Sequence, residues 1–472
     1  MANQSTENAA VLGHRPSRES QVTRDFAEFI ANVDSDVLSS TVIDRLKEYL
    51  IDYLGVTIAA AHEWESTEQI YKAVVTLGAH GGSATVALRG HDFRPQFAGL
   101  LNATFGHSMD FDDTYAPGSL HAGVCAISAG LAQAESSGSG DVESRQLLLA
   151  IAVGYEVICR LGAELGNAAY ARGFHNTSTA GIFGAVATIC VLRKLPASIV
   201  ENVFGLALSK AAGSMQYLEN GSWNKRLHPG FAVHDAFVCV SLAEAGVLGA
   251  AKSIEGKYGL LHAYSPRTEH DLALLTADLG RRWDFLETAL KPYPACRMTH
   301  GLIEVAGQFG ALYKNHNIDK ITVSLSPENH IVVGARVPNK LHPGNLVDAQ
   351  FSAYFQLSHA WFYGSDTGIE FAGRLNDERI YELSEKITVV TDPTVKAFGS
   401  KMHVQFENGQ SQQVDIPYPL GEAEHPLSKQ QVEAKYFSLV TPVLGQSKAN
   451  EIKDVVGQLE QHPISILMQL IG

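Results

Sequence analysis

The chain has 472 residues, 45% apolar and 18% charged, which excludes a disordered protein and exceeds what one hydrophobic core usually serves. Fifty Asp and Glu outweigh 36 Lys and Arg for a formal charge of −14, so no nucleic-acid partner is expected, because phosphate contacts need a basic surface. Cys125, Cys159, Cys190, Cys239 and Cys296 lie far apart without a CxxC pair and read as reduced thiols, with no disulfide, zinc or iron–sulfur spacing among them.

Residues 1–22 are polar and aperiodic and read as a flexible tail; Glu7, Glu19 and Asp25, with no apolar segment, argue against a secretory signal. No stretch is read as spanning a bilayer, since the uncharged run from Gly173 to Leu192 is broken by His175, Asn176, Thr177 and Ser178. The expectation is therefore a cytoplasmic protein without a membrane partner. From Phe26 onward the pattern turns helical, and Val42, Ile43, Leu46, Leu50, Tyr53 and Leu54 recur at three- and four-residue intervals. Ala/Gly-rich segments at 122–135, 144–165, 180–193, 200–214 and 231–251 predict closely packed helices, so 23–285 is read as one all-helical domain.

Near residue 285 the composition changes. Residues 320–334 and 385–393 are rich in β-branched side chains and predict strands, and KMHVQFENGQSQQVDI alternates about Asn408-Gly409 as a hairpin does. Residues 286–421 are read as a smaller α+β lid domain. Beyond Pro426, Ser428 with Gln431 forms a capping-box pattern, and 422–472 are expected to return as helices onto the first domain. The predicted fold is thus mainly α, a large all-helical domain plus a smaller α+β lid, with no internal repeat.

Four stretches gather ionisable residues beside Gly and Pro. In 106–121, Asp110, Asp112 and Asp113 crowd together with His107 and His121 nearby, and mutual repulsion would raise their pKa values unless cations lie close. A capped helix end is the bland reading; a metal is another, although the spacing matches neither an EF-hand nor HExxH. In 172–181, His175 precedes an apolar helix, with Thr177 or Ser178 as N-cap, or else sits in an ordinary surface turn. In 224–230, Lys225, Arg226 and His228 lead into a Pro-Gly turn, a cationic knot for carboxylates or a solvated loop. In 291–300, Lys291, Arg297 and His300 fall at the domain junction, where ligand sites concentrate; Cys296 reads as a small buried residue before a nucleophile.

Together and in this order, HSMDFDDT at 107–114, FHNTSTAGIFGA at 174–185, KRLHPG at 225–230 and KPYPACRMTH at 291–300 resemble the MmgE/PrpD family, which holds 2-methylcitrate dehydratases, cis-aconitate decarboxylases and an iminodisuccinate epimerase. The resemblance runs from about residue 25 to the C-terminus. It implies a cleft between a helical domain and a lid, catalytic residues Asp110, His121, His175, Lys225 and His300, no metal or organic cofactor, and a homodimer. The chain departs from the family pattern where Ala122 follows His121, and where Val233-His234-Asp235 follow KRLHPG.

These residue types suit a carbon-acid reaction. Dehydrating a citrate-like acid requires removing a weakly acidic proton and protonating a departing hydroxide, a pair of acid/base tasks. Asp110 is expected as the base or the partner that tunes one, and His175 as general acid. Lys225 with Arg297, supported by Lys291, Arg226 and His228, would hold substrate carboxylates. The expected activity is dehydration of a 2-methylcitrate-like or alkylcitrate-like tricarboxylate; decarboxylation of cis-aconitate, epimerisation of an amino-dicarboxylate and a silent scaffold are the alternatives. Phe111, Tyr115, Met215 and Tyr217 are candidates for an apolar pocket beside it.

Overall fold

The structure, a computed structural model, describes residues 21–136, 142–365, 369–396 and 398–472; the expected tail lies outside the described residues up to position 20, and Val22 already opens a helix, Val22–Asn32. The periodic segment forms α1, Ser40–His62, whose first turn is capped by the Ser39 hydroxyl accepting from the Val42 N–H.

The first domain is not wholly helical. Strands β1 (His80–Val86) and β2 (Gly90–Phe93) form an antiparallel hairpin that the sequence reading missed, because HGGSATV lacks alternation. The hairpin is held by its neighbour α2, Pro95–Ser108: the Asn102 amide donates to the Thr85 carbonyl at 2.8 Å and accepts from the Ala87 N–H at 3.0 Å. Helices α3 (Gly123–Ser136), α4 (Ser144–Ala171) and α5 (Gly181–Arg193) stack behind α2. Against expectation, α4 is long and apolar enough to cross a bilayer, yet its most apolar stretch lies inside the protein, with Glu156 and Arg160 ion-paired at 2.6 Å in the core. The α4 path breaks at Gly166, where φ is 51°, close to the expected end at 165.

The basic knot at 224–230 is another correction. It forms the first two turns of α6, Asn224–Glu244, with Pro229 inside the helix and no turn at Pro-Gly. Packing decides this: a Cβ at Gly230 would fall 2.2 Å from Thr104 Oγ1 and 2.7 Å from the Leu100 carbonyl, so α6 presses on α2 along a surface only glycine permits.

A second core forms around α7 (His300–Leu312), β3 (Ile318–Leu325), α8 (Ala353–Tyr363), β4 (Ile387–Thr391), β5 (Ser400–Phe406) and β6 (Ser411–Ile416). The sheet order is β4-β3-β5-β6, with β3–β4 parallel and the others antiparallel; Val323 lies opposite Val389 and Met402, and Met402 opposite Val414. The expected hairpin is present, with Gly409 at φ 86°. The expected strand over 320–334 stops at Leu325: Ser326 caps a turn opened by Pro327, and His330–Gly334 continue as a π-helical turn. The capping box also forms, opening α9, Lys429–Leu444, which packs on α1. The architecture is mainly helical with a smaller α+β part.

Helices α4 and α5 touch backbone to backbone at Gly154 and Gly184, where a Cβ on Gly184 would lie 2.5 Å from the Gly154 carbonyl and 2.1 Å from Ile158. Gly184→Val should therefore destabilise the protein by at least about 2 kcal/mol, read as a lowered thermal midpoint. An unchanged midpoint would refute this close approach.

Candidate active site

The site is built around the loop that follows α2. Asp110 sits in the left-handed region at φ 52°, a conformation Asp tolerates better than most residues. Three successive carbonyls of this loop are taken by distant side chains: Met109 O by the Gln350 amide at 2.6 Å, Asp110 O by the Lys291 ammonium at 2.9 Å, and Phe111 O by Lys435 of α9 at 2.7 Å. Thr114 and Ala289 exchange backbone hydrogen bonds at 2.8 and 2.7 Å, which brings Lys291 alongside. Lys435 is itself anchored to Asp52 of α1 at 2.6 Å.

The three crowded carboxylates point in different directions, which relieves the repulsion read from their spacing. Asp113 accepts from the Tyr155 hydroxyl at 2.7 Å and the Gly123 N–H at 3.1 Å, and burial pushes it up to about 7. Asp112 accepts from His107 Nδ1 at 2.7 Å and lies 3.1 Å from His121 Nδ1. Asp110 Oδ1 accepts from both Lys225 (2.9 Å) and Lys291 (2.8 Å), with His121 Nε2 at 3.5 Å, while its Oδ2 is buried without a hydrogen-bond partner among the described residues. Burial works to raise the Asp110 carboxyl, but Lys225, Lys291 and His121 outweigh it and hold it well below the usual carboxylate range.

The imidazoles are neutral. Lys225 donates to His107 Nε2 at 3.1 Å, so His107 carries its proton on Nδ1, facing Asp112; burial lowers its pKa to about 3. His175 is the N-cap of the short helix Asn176–Thr179, a place the sequence reading had given to Thr177 or Ser178. Those two hydroxyls serve as struts instead, Thr177 accepting from the His121 N–H and Ser178 donating to the His228 carbonyl. His175 Nδ1 meets His228 Nδ1 at 2.9 Å, so one ring donates and the other accepts. Burial, then His228 and Lys225, hold His175 well below its ordinary pKa. Held neutral, His175 meets a substrate as a proton acceptor, and the acid role expected of it needs a proton that arrives with the substrate.

Asp110, His121, His175, Lys225, Lys291 and Arg297 line one chamber of about 40 Å³, enough for a few waters. Arg297 is set by Glu422 at its Nε and by His300 Nδ1 at 3.0 Å, which leaves its buried Nη2 without a hydrogen-bond partner among the described residues. His300 stands behind Arg297, its Nε2 bonded to the Ala295 carbonyl, and His228 stands behind His175. Arg226 is a correction: one residue along α6 from Lys225, it points away from the chamber to Glu65 at 2.6 Å and Ser66 at 3.0 Å, and is no part of the carboxylate site. Cys296 lines the chamber as a thiol, burial and Asp110 pushing it up to about 11. Of the apolar candidates, Met215 lines a neighbouring cavity, Tyr217 packs on His175 and His228, and the Phe111 ring lies 3.9 Å from the Lys435 ammonium.

Sequence reasoning missed the parts that act through other groups. His107 and Asp112 were noticed in the crowded 106–121 cluster but given no role there, and Gln350, Glu422 and Lys435 carry no local signal at all.

Residues 24–273 match the MmgE/PrpD N-terminal domain and 293–461 the MmgE/PrpD C-terminal domain. The chain belongs to the MmgE/PrpD family. It is 25% identical over 478 residues to a cis-aconitate decarboxylase-like protein, oryM, of Aspergillus oryzae, covering 96% of this chain and 98% of that protein. It is 25% identical to a cis-aconitate decarboxylase of Aspergillus terreus (96% of each chain) and 26% identical to that of Homo sapiens (95% of this chain, 94% of the human protein).

In this MmgE/PrpD chain, ligand atoms of His107, Asp112 and His121 lie within 4.8 Å of one another, a spacing that would suit a cation. The donor chemistry does not fit one. His107 Nδ1 is spent on Asp112, and its Nε2 faces the Lys225 ammonium, whose charge would repel a metal ion. The trio reads as a hydrogen-bonded relay.

The neutral imidazoles make stability depend on pH. His107 and His228, both lowered to about 3, stay neutral in the fold while an unfolded chain protonates them below about 6.5. The unfolded state then binds more protons, so stability falls with falling pH by up to about 1.4 kcal/mol per pH unit per imidazole. Asp113 acts oppositely, since the fold retains its proton up to about 7. The thermal midpoint should therefore drop between pH 6.5 and 4.5, and less steeply in His228→Asn. A flat midpoint across that window would mean that these rings take up protons in the folded protein.

Proposed function

We propose that the protein is a lyase that dehydrates a citrate-like tricarboxylate of the 2-methylcitrate or alkylcitrate type without a metal or organic cofactor. The observation that carries this reading is the buried Asp110 carboxylate bridging two ammonium groups beside neutral imidazoles. An acid and a base coexist there before substrate arrives, as dehydration demands. Lys291 and Arg297 Nη2 would take substrate carboxylates and the charge that develops on the enediolate. A neutral imidazole, His175 or His121, would remove the proton beside the carboxylate; the electron pair becomes the C=C bond, and hydroxide leaves with a proton from Lys225 as water. Asp110 is too weak a base for the first step, and its fitting role is to hold and aim the Lys225 side chain.

The names of the relatives favour a second reading, decarboxylation of cis-aconitate, in which the proton is delivered to carbon and carbon dioxide departs. Proton NMR in D₂O with chelator present separates the two. A new alkene product from 2-methylcitrate is the expected result. Itaconate from cis-aconitate, with 2-methylcitrate untouched, would replace dehydration by decarboxylation, and silence with both would reject each of them.

Lys225→Ala and His175→Ala should each lower kcat by about 10²-fold or more. In the Lys225 variant Asp110 keeps its Lys291 partner at 2.8 Å, so the fold should persist by circular dichroism. Turnover near the wild-type rate in either variant would remove that residue from the chemistry.

A further inference from the structure

The 40 Å³ chamber does not end at the lysines. Ser119, Tyr170, Met298 and Phe398 form part of its wall and also part of the wall of a second cavity, of about 490 Å³, lying between the helical part and the lid. The two differ in chemistry. The chamber is cationic, whereas the cavity is walled largely by hydrocarbon, including Met215, Leu218, Val332 and Val395. Its charged groups are Lys396 and Glu328, both exposed. One exposed charge of each sign gives no net pull on a further carboxylate, and the hydrocarbon wall offers it no hydration, so the cavity does not suit the polar remainder of a tricarboxylate.

One wall is the π-helical turn His330–Gly334, which the sequence reading took for strand. This turn buries Val332 and Val333 in the second core but leaves Ile331 74% exposed at the cavity, a large apolar side chain held in water. Ala171 and Gly173, where α4 ends, also line the cavity, and their small size keeps the space open.

We propose that this cavity binds an apolar chain carried by the tricarboxylate, so that the substrate is an alkylated citrate-type acid with its carboxylates among Lys225, Lys291 and Arg297 and its chain against Met215, Leu218, Ile331 and Val332. This rests on the chamber being the carboxylate site. Polarity sets the orientation, since a chain cannot profitably enter the cationic chamber and carboxylates cannot profitably enter the hydrocarbon. The chain lies outside the reacting atoms and contributes through the apolar surface it buries.

The test uses calorimetric titration of the full-length protein with propane-1,2,3-tricarboxylate, which lacks the hydroxyl to be lost, and with homologues that carry a butyl, hexyl or octyl chain on a methylene carbon, where 2-methylcitrate carries its methyl. Affinity should climb with length, by about threefold to fourfold per methylene while each is fully buried. Ile331→Glu and Ala171→Trp both alter exposed positions outside the chamber. Each should flatten the climb and leave binding of the unsubstituted acid within about twofold of wild type, taking a neutral methylene increment as the reference. If the unsubstituted acid binds and the series is flat or falls, the chain site is refuted and the carboxylate site stands. If no member binds, the carboxylate reading fails and the proposal fails with it. A climb that persists undiminished in both variants would place the chain elsewhere and overturn the proposal.

Discussion

The protein is organised around one buried carboxylate. Asp110 is 2% exposed, and an ionised carboxyl in that position costs several kcal/mol in lost hydration unless charge and hydrogen bonds replace the water. Lys225 and Lys291 supply the replacement, and both are nearly as buried as the group they serve. Neither lysine is well placed without the carboxylate, because two ammonium groups sharing one oxygen repel each other. The three charges are therefore interdependent, and they come from three regions of the chain that only the complete fold brings together.

The backbone is held to the same standard. The carbonyls of Met109, Asp110 and Phe111 accept from Gln350, Lys291 and Lys435, donors contributed by the second core, the junction and the C-terminal helix. A loop fixed at three successive peptides has little freedom to reorient, and that rigidity is what an electrostatically organised site needs. It also gives the C-terminal return a role beyond burying apolar surface: the pair of Lys435 and Asp52 ties α9 to α1 while the hydrogen bond from Lys435 to the Phe111 carbonyl steadies the loop.

The imidazoles illustrate how neighbours set chemistry. His107, His121, His175 and His228 share a small volume with two ammonium groups, so burial and like charge outweigh the opposing Asp112 carboxylate beside His107 and His121 and keep the rings neutral. Arrival of a multiply charged anion reverses the second influence. The site is thus poised to take up a proton as substrate binds, which is how neutral bases and charged acids can coexist in one enclosed space.

Much was legible in the sequence because it depends on neighbours along the chain. The three- and four-residue spacing of α1, the Asn408-Gly409 hairpin and the Ser428/Gln431 capping box each satisfy backbone groups locally, and each formed where expected. The ionisable clusters were visible too, since a site concentrates residues that a core excludes. Where tertiary contacts outweighed local preference, the sequence misled. Lys225, Arg226 and Pro229 looked like a turn until the fit of Gly230 against Thr104 made them a helix, which separated Lys225 and Arg226 onto different faces. The β-branched run at 330–334 looked like a strand until burial of Val332 and Val333 wound it into a π-helical turn. Composition and periodicity determined which elements form and which stretches hold chemistry. Which side chain reaches which was decided only when distant elements packed, because a buried charge has no stable position until its partners are present.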